Sequence, residues 1–260
     1  MTVLSRLGAA LFVVAIPLLL VTSNVRFFAG EARFYERGFR EFNADEATGL
    51  PLEELDRAAR EIIDYFENDT ETLRILVTHA GEEESLFNSR ETQHMQDVKQ
   101  VMRVVFRINE ITLAYVLTYI VGVYLWAGER PLRSLARLSL LGVGLGVLVT
   151  GAIGAFAVAG FDQAWTTFHE ILFRNDLWQL DPDTDRLIQM FPEPFWEETT
   201  YIIGIMTFAE ATAIVILATA YLLASRQSAN AAAQRSEQEP ERIERLRPAP
   251  EPVSQPGPED

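Results

Sequence analysis

Apolar and charged stretches alternate in blocks along this chain, and four of the apolar runs are candidates for membrane spans. The first, residues 7–23 (LGAALFVVAIPLLLVTS), is near the lower length limit for a spanning helix. Its short basic start also fits a signal peptide. No small-x-small cleavage site follows, however, and three more runs come later, so it reads as an uncleaved anchor. The second run, residues 111–126 (ITLAYVLTYIVGVYLW), falls short of a ~30 Å hydrocarbon core at about 1.5 Å per residue. It is expected to extend back through Phe106, carrying Arg107 and Glu110 at its outer edge. The third, 136–160, is rich in Gly and Ala, which suits close helix contact in lipid. The fourth is 201–224.

Arginines near the ends of the runs predict an orientation. Arg6 precedes the first run, Arg130, Arg133 and Arg137 lie between the second and third, and Arg226 follows the fourth. The positive-inside tendency puts these segments, and with them both termini, in the cytoplasm. Arg26, Arg33, Arg37 and Arg40 oppose it, but they sit on a long segment, where the rule carries less weight. Residues 24–105 and 161–200 then lie outside. The expectation is an all-α integral membrane protein: four transmembrane helices with an extracytoplasmic helical cap made by two outer segments. Residues 1–225 form that unit. The tail from 226 to 260, rich in Ala, Gln, Glu, Arg and Pro, reads as a disordered cytoplasmic extension.

Within the first outer segment, LPLEELDRAAREIIDYFEN sets Leu52, Leu55, Ala59, Ile62 and Phe66 on one helical face, with Pro51 suited to the first turn. The polar HAGEEES follows. Asn88-x-x-Glu91 then opens a helix by a capping arrangement. His94, Asp97, Val98 and Val101 share a face of that helix, which runs straight into the second span. In the second outer segment, Asp181-Pro182 predicts a helix start and Pro192 and Pro194 its end. Trp165, Trp178 and Trp196 suit a cap resting on the bilayer interface.

Composition removes several classes of chemistry. The 260 residues carry a net charge of −15 and no cysteine. Nucleic acid is an unsuitable partner, since no basic stripe exists to neutralise phosphates. Thiol nucleophiles and disulfides are impossible. There are three histidines. His79, beside GEEES, reads as a solvated residue. His94 lies just before the second span and His169 just after the third, so separate segments bring both to the same outer depth. A shared site is one reading, and two unrelated exposed histidines are the other.

Three chemistries compete for such a pair. Zinc on His94, His169 and Asp97 or Glu170 lacks an HExxH or any compact ligand cluster. DPDTD spaces acids like the start of a calcium loop, but Arg186 stands where the loop glycine belongs. No GxSxG elbow supports a serine hydrolase. Direct acyl transfer needs only a general base near neutral pH and a second imidazole as hydrogen-bond donor to a developing oxyanion. Asp97, one turn from His94, is placed to orient it. Rival functions are a metal-dependent membrane lipid-ester hydrolase and a non-enzymatic membrane sensor or accessory protein. Glu210, deep in the fourth run, is either functional or a hydrogen-bonded packing residue. Lys99, the only lysine, falls off the His94 face and is expected to meet a phosphate headgroup or an ion-pair partner.

Two stretches carry a family resemblance: LFNSRETQHMQDVKQV (86–101) and FHEILFRNDLWQLDPDTDRLIQMFPEPFW (168–196). A histidine followed by Asp-Val-Lys before the second span, then Phe-His, Asn-Asp-x-Trp and a run like LDPDTDRLIQMFPEPF, resemble the bacterial lipoprotein intramolecular transacylases, Lit. The resemblance covers about residues 1–225 and leaves out the tail. It implies a multi-pass protein of the cell membrane with its site at the outer leaflet, where membrane lipids and a diacylglyceryl-modified lipoprotein are its partners. It implies transfer of the sn-2 acyl chain from glycerol to the α-amino group of the lipoprotein's N-terminal cysteine, giving a lyso-form lipoprotein. His94 and His169 match the family's histidines and are the expected catalytic residues, with His94 favoured as base. Asp97, Asn175, Asp176, Trp178 and Arg26 are the expected supporting residues. No metal, nucleotide or other cofactor is implied.

Overall fold

The computed structural model describes residues 3–79, 81–126 and 131–245. Arg130 and residues 246–260 of the tail lie outside the described residues. Four helices are long and apolar enough to cross a membrane: α1 (Val3–Gly30), α5 (Ser89–Trp126), α6 (Pro131–Ala159) and α9 (Glu193–Arg245). Each expected run coincides with one of them, the third overrunning α6 by the single residue Gly160, so the chain is a multi-pass membrane protein. The helices around the first and fourth runs extend at both ends, and that around the second at its start, because polar residues continue them past the hydrocarbon. The cap elements are α2 (Ala32–Glu41), α3 (Ala44–Thr48), α4 (Leu52–Glu67), β1 (Leu76–His79), β2 (Glu82–Ser85), α7 (Phe161–Leu172) and α8 (Arg186–Met190).

In the bundle, α1 packs against α5, α6 and α9. Glycines on α6 permit the close approach. A Cβ on Gly142 would sit 2.9 Å from the Val13 carbonyl, and one on Gly146 would sit 2.9 Å from Pro17 Cβ. Phe12, Ile16, Leu135, Val143 and Ala211 fill the seam. Side-chain amides cross-link it further up. Asn24 Nδ2 donates to Glu210 Oε2 (2.9 Å) and Thr207 Oγ1 (3.2 Å), and Asn109 Nδ2 donates to Ser23 Oγ (2.8 Å). Glu210 is thus hydrogen-bonded to the neighbouring helix. At the other end of the bundle Arg133 Nε donates to Ser225 Oγ (3.1 Å), tying α6 to α9.

The cap has one core drawn from both outer segments. Tyr35, Phe39, Leu55, Ile62 and Phe66 come from the first, and Leu187, Met190, Phe191 and Phe195 from the second. Burying each such large side chain contributes about 1.5–3 kcal/mol. The face predicted for α4 is the buried one, although Pro51 is its N-cap rather than a first-turn residue and Leu52 is only partly buried.

Three local expectations need correction, and one element was not expected: across HAGEEES, β1 and β2 pair antiparallel, Leu76 opposite Ser85 and His79 opposite Glu82. Four-residue strands leave too little alternation to show in sequence. The helix expected at Asp181 begins at Arg186 behind Asp185, because Asp181 closes a turn, its Oδ1 accepting from Asp183 N (2.9 Å). Pro194 lies in the first turn of α9, where a missing N–H costs nothing. Finally, α9 runs on to Arg245, so the first part of the expected disordered tail is helical. Its Ala, Gln, Glu and Arg are strong helix formers.

Candidate active site

The site is assembled where α5 begins. Asn88 Oδ1 accepts from Glu91 N (3.0 Å) and Arg90 N (2.9 Å), and Glu91 Oε2 accepts from Asn88 N (2.7 Å), the expected reciprocal cap. The other Glu91 oxygen does something the sequence did not reveal. It accepts from Leu187 N (2.6 Å), in the first turn of α8. Asn88 Nδ2 donates in turn to Asp185 Oδ1 (2.7 Å). Glu91 is 2% exposed, so its carboxylate is buried between the two outer segments. Burial raises the Glu91 carboxyl pKa above the usual range, with the two backbone donors opposing.

One turn further along α5, His94 points into the junction. His169 reaches it from α7. Their ring centroids are 6.2 Å apart, and both side chains are buried. The surroundings are aromatic. Phe173 lies edge-on to His94 at 5.1 Å, Trp165 edge-on to His169 at 4.4 Å, and Trp178 stacks on His169 at 4.9 Å. Trp165 also stacks on Trp196 at the start of α9 (5.3 Å), which closes the ring of helices around the pair.

The hydrogen bonding distinguishes the two imidazoles. His169 Nδ1 lies 2.8 Å from the Trp165 carbonyl oxygen. A carbonyl only accepts, so Nδ1 carries the hydrogen and Nε2 keeps its lone pair. His94 Nδ1 is buried without a hydrogen-bond partner among the described residues. Burial pushes the His94 pKa down to about 4, the neighbouring His169 adds to the fall and Asp97 opposes it. Burial also lowers His169, against the Trp165 hydrogen bond. At neutral pH both rings are therefore neutral.

The supporting residues divide. Trp178 is in contact with His169. Asp97 does not orient His94 by a hydrogen bond: its Oδ2 accepts from Asn175 Nδ2 (2.9 Å). Asn175, on the loop after α7, outcompetes a histidine of its own helix, because i,i+3 geometry does not bring the carboxylate in line with the ring. Asp97 and Asn175 thus pin the loop that carries Trp178. Asp176 contributes only its carbonyl, which accepts from Arg90 Nη2 (2.5 Å) and Gln179 N (3.2 Å). Arg26 is elsewhere, bonded to Glu110 (3.0 Å) over the Phe106 ring. Lys99 is buried and forms no ion pair among the described residues. Its Nζ donates to Thr70 O (2.6 Å) and Asn68 Oδ1 (3.1 Å) and sits 3.8 Å from the Tyr65 ring centre, because the first outer segment folds over it. His79 is exposed and pairs with Glu84 at 3.1 Å. Among the described residues no group of three or more His, Asp or Glu is placed to hold a metal.

Sequence reasoning missed Trp165 and Phe173 as walls of the site. Their spacing, four residues either side of His169, was the available signal.

These features define a polytopic membrane protein with a buried histidine pair at one mouth of its helix bundle. The family model of the lipoprotein intramolecular transacylase Lit matches residues 10–196, and the chain belongs to that family, whose members are acyltransferases. The fold is similar to that of the membrane-integral lipoprotein intramolecular transacylase Lit of Bacillus cereus, at 18% identity and a TM-score of 0.69, covering 86% of this chain and 98% of that one. A variant of that protein with a histidine-to-arginine substitution matches at 18% identity and a TM-score of 0.68, over 86% of this chain and 95% of that one. An uncharacterised protein of Aquifex aeolicus (strain VF5) is 30% identical over 124 residues, 47% of this chain and 51% of that one. The chain thus spans about half the length of this curated relative.

Proposed function

We propose that this protein is a lipoprotein intramolecular transacylase acting on a lipoprotein whose N-terminal cysteine bears a diacylglyceryl thioether. The observation that carries the reading is the 6.2 Å pairing of two neutral, buried histidines, one with its tautomer set by the Trp165 carbonyl.

The proposed step is ester aminolysis within one substrate molecule. The α-amino nitrogen attacks the sn-2 carbonyl carbon while His169 Nε2 removes its proton. His94, protonated on Nε2 because its Nδ1 is buried without a partner, donates a hydrogen bond to the developing oxyanion. The bond from the carbonyl carbon to the glycerol oxygen then breaks, and the His169 imidazolium returns the proton to that oxygen. The products are an N-acyl cysteine and a free sn-2 hydroxyl, and His169 is neutral again. This assignment makes His169 the base, reversing the expectation that rested on an Asp97–His94 hydrogen bond. Donor and acceptor share a molecule, so a pocket that folds the lipid head exploits a high effective molarity. The step consumes no metal, nucleotide or acyl-enzyme.

The arginine distribution supports cytoplasmic termini, which puts the histidine pair at the outer leaflet, where membrane lipids surround it. Residues 1–225 constitute the transacylase unit.

Mass spectrometry of a lipoprotein from cells expressing this chain tests the proposal. Expected is an N-terminal cysteine amide bearing the former sn-2 chain. Absence of that amide, or its persistence when both His94 and His169 are replaced by Ala, overturns it.

A further inference from the structure

A second polar recess lies away from the histidines. It is a cavity of about 480 Å³ between the end of α1, the end of α4 and the middle of α5. Arg103 follows His94 by about two and a half helical turns, ~14 Å further along α5 and on its opposite face. The recess is therefore separate from the transacylation site.

Its depth is set by the spans. Arg26 comes just after the first apolar run, and Arg107 and Glu110 come just before the second. The recess sits where hydrocarbon gives way to headgroups. Three arginines (26, 103 and 107) face three carboxylates (Glu67, Asp69 and Glu110) across it. Several of these charges are only loosely matched. Glu110 takes a 3.0 Å bond from Arg26 but lies 4.0 Å from Arg107, whose side chain is 77% exposed. Asp69, bonded to Arg103 at 3.0 Å, is fully exposed. The Phe106 ring beneath the Arg26 guanidinium (5.0 Å) forms an apolar floor continuous with the span.

We infer that this recess binds the headgroup of a zwitterionic aminophospholipid. Guanidinium groups take the phosphate, and carboxylates take the primary ammonium at its far end. A purely anionic headgroup would leave the three acids facing unpaired negative charge. A trimethylated headgroup offers them no N–H. The inference stands independently of the transacylation reading, since the test below measures lipid retention and not acyl transfer.

The full-length protein, purified and delipidated, is incubated with equal amounts of phosphatidylethanolamine, phosphatidylcholine and phosphatidylglycerol of the same acyl composition, and retained lipid is read by native mass spectrometry. One phosphatidylethanolamine should be retained roughly tenfold over the other two. Arg107→Gln should reduce that retention about tenfold. Glu67→Gln should remove the preference over phosphatidylcholine. The exposed Arg33→Gln should change neither. Equal retention of the three lipids, preference for phosphatidylglycerol, displacement by inorganic phosphate alone, or unchanged retention in both Arg107→Gln and Glu67→Gln overturns the inference.

Discussion

The rings of His94 and His169 stand 6.2 Å apart, yet among the described residues only His169 has a ring nitrogen held by a hydrogen bond. The Trp165 carbonyl holds its Nδ1 at 2.8 Å and leaves Nε2 as the acceptor. The proposed roles follow from this asymmetry and predict unequal losses. His169→Ala removes the base and should lower the initial rate of N-acylation by roughly 10³–10⁴. His94→Ala removes one oxyanion donor and should cost about 10²–10³. Initial rates on a purified diacylglyceryl lipopeptide check the order. A larger loss in His94→Ala would exchange the roles.

The depressed His94 pKa has a consequence for stability. Folding lowers it from 6.5 to about 4, so between those values the unfolded chain binds more protons. The contribution is fully present above pH 6.5 and is lost as pH falls from 6.5 through about 4. Lowering the pH from 7.5 to 5 should therefore remove ~2 kcal/mol through this residue. His169, shifted the same way, adds to the loss. Thermal unfolding at the two pH values, wild type against His94→Gln, measures the residue's share. The variant should show a flatter dependence.

Asn175 and Asp97 tie the Trp178 loop to α5 through one exposed bond of 2.9 Å. Such a contact is worth on the order of 1 kcal/mol. Asn175→Ala and Asp97→Ala should each slow transacylation roughly threefold to tenfold. Because they break the same contact, the double variant should be no worse than either alone. Additive losses would show that Asp97 acts on the histidines by another route.

How far the sequence revealed this site depended on whether a partner was local. The four spans were legible because twenty or so apolar residues have few other uses. The Asn88–Glu91 cap was legible because both partners sit within one turn. His94 and His169 were joined by topology alone, since each adjoins a span. What failed to show was the choice a side chain makes between segments. Asp97 turned to Asn175 rather than His94, Lys99 to Thr70 and Tyr65 rather than to an acid, and Glu91 added Leu187 N to its local cap. Periodicity puts a residue on a face. It carries no information about which distant loop covers that face.

The proposed reaction draws its base and its oxyanion donor from the two imidazoles, which a chelator leaves intact. Chelators should leave N-acylation within about twofold of its untreated rate, whereas a metal-dependent lipid-ester hydrolase would lose activity and regain it with added metal. The same assay separates products, since a hydrolase releases free fatty acid and a transacylase releases none.

Glu91 offers the sharpest test of how the pair is held. Its buried carboxylate accepts from Asn88 N and Leu187 N, so it fixes the start of α5 against the start of α8. Glu91→Ala removes the acceptor of the buried Leu187 N–H and of the half-buried Asn88 N–H and should cost about 2–4 kcal/mol. For a protein of this size that lowers the melting temperature by roughly 5–15 °C. Glu91→Gln retains one acceptor oxygen and should lose about half as much. Activity is the discriminating measurement at a temperature where both variants remain folded. If the clamp sets the spacing of His94 and His169, Glu91→Gln should lower kcat more than it raises KM, because a displaced base weakens the transition state and leaves substrate binding largely intact. An unchanged kcat would confine Glu91 to folding and place control of the histidine spacing in the Trp165–Trp196 stack.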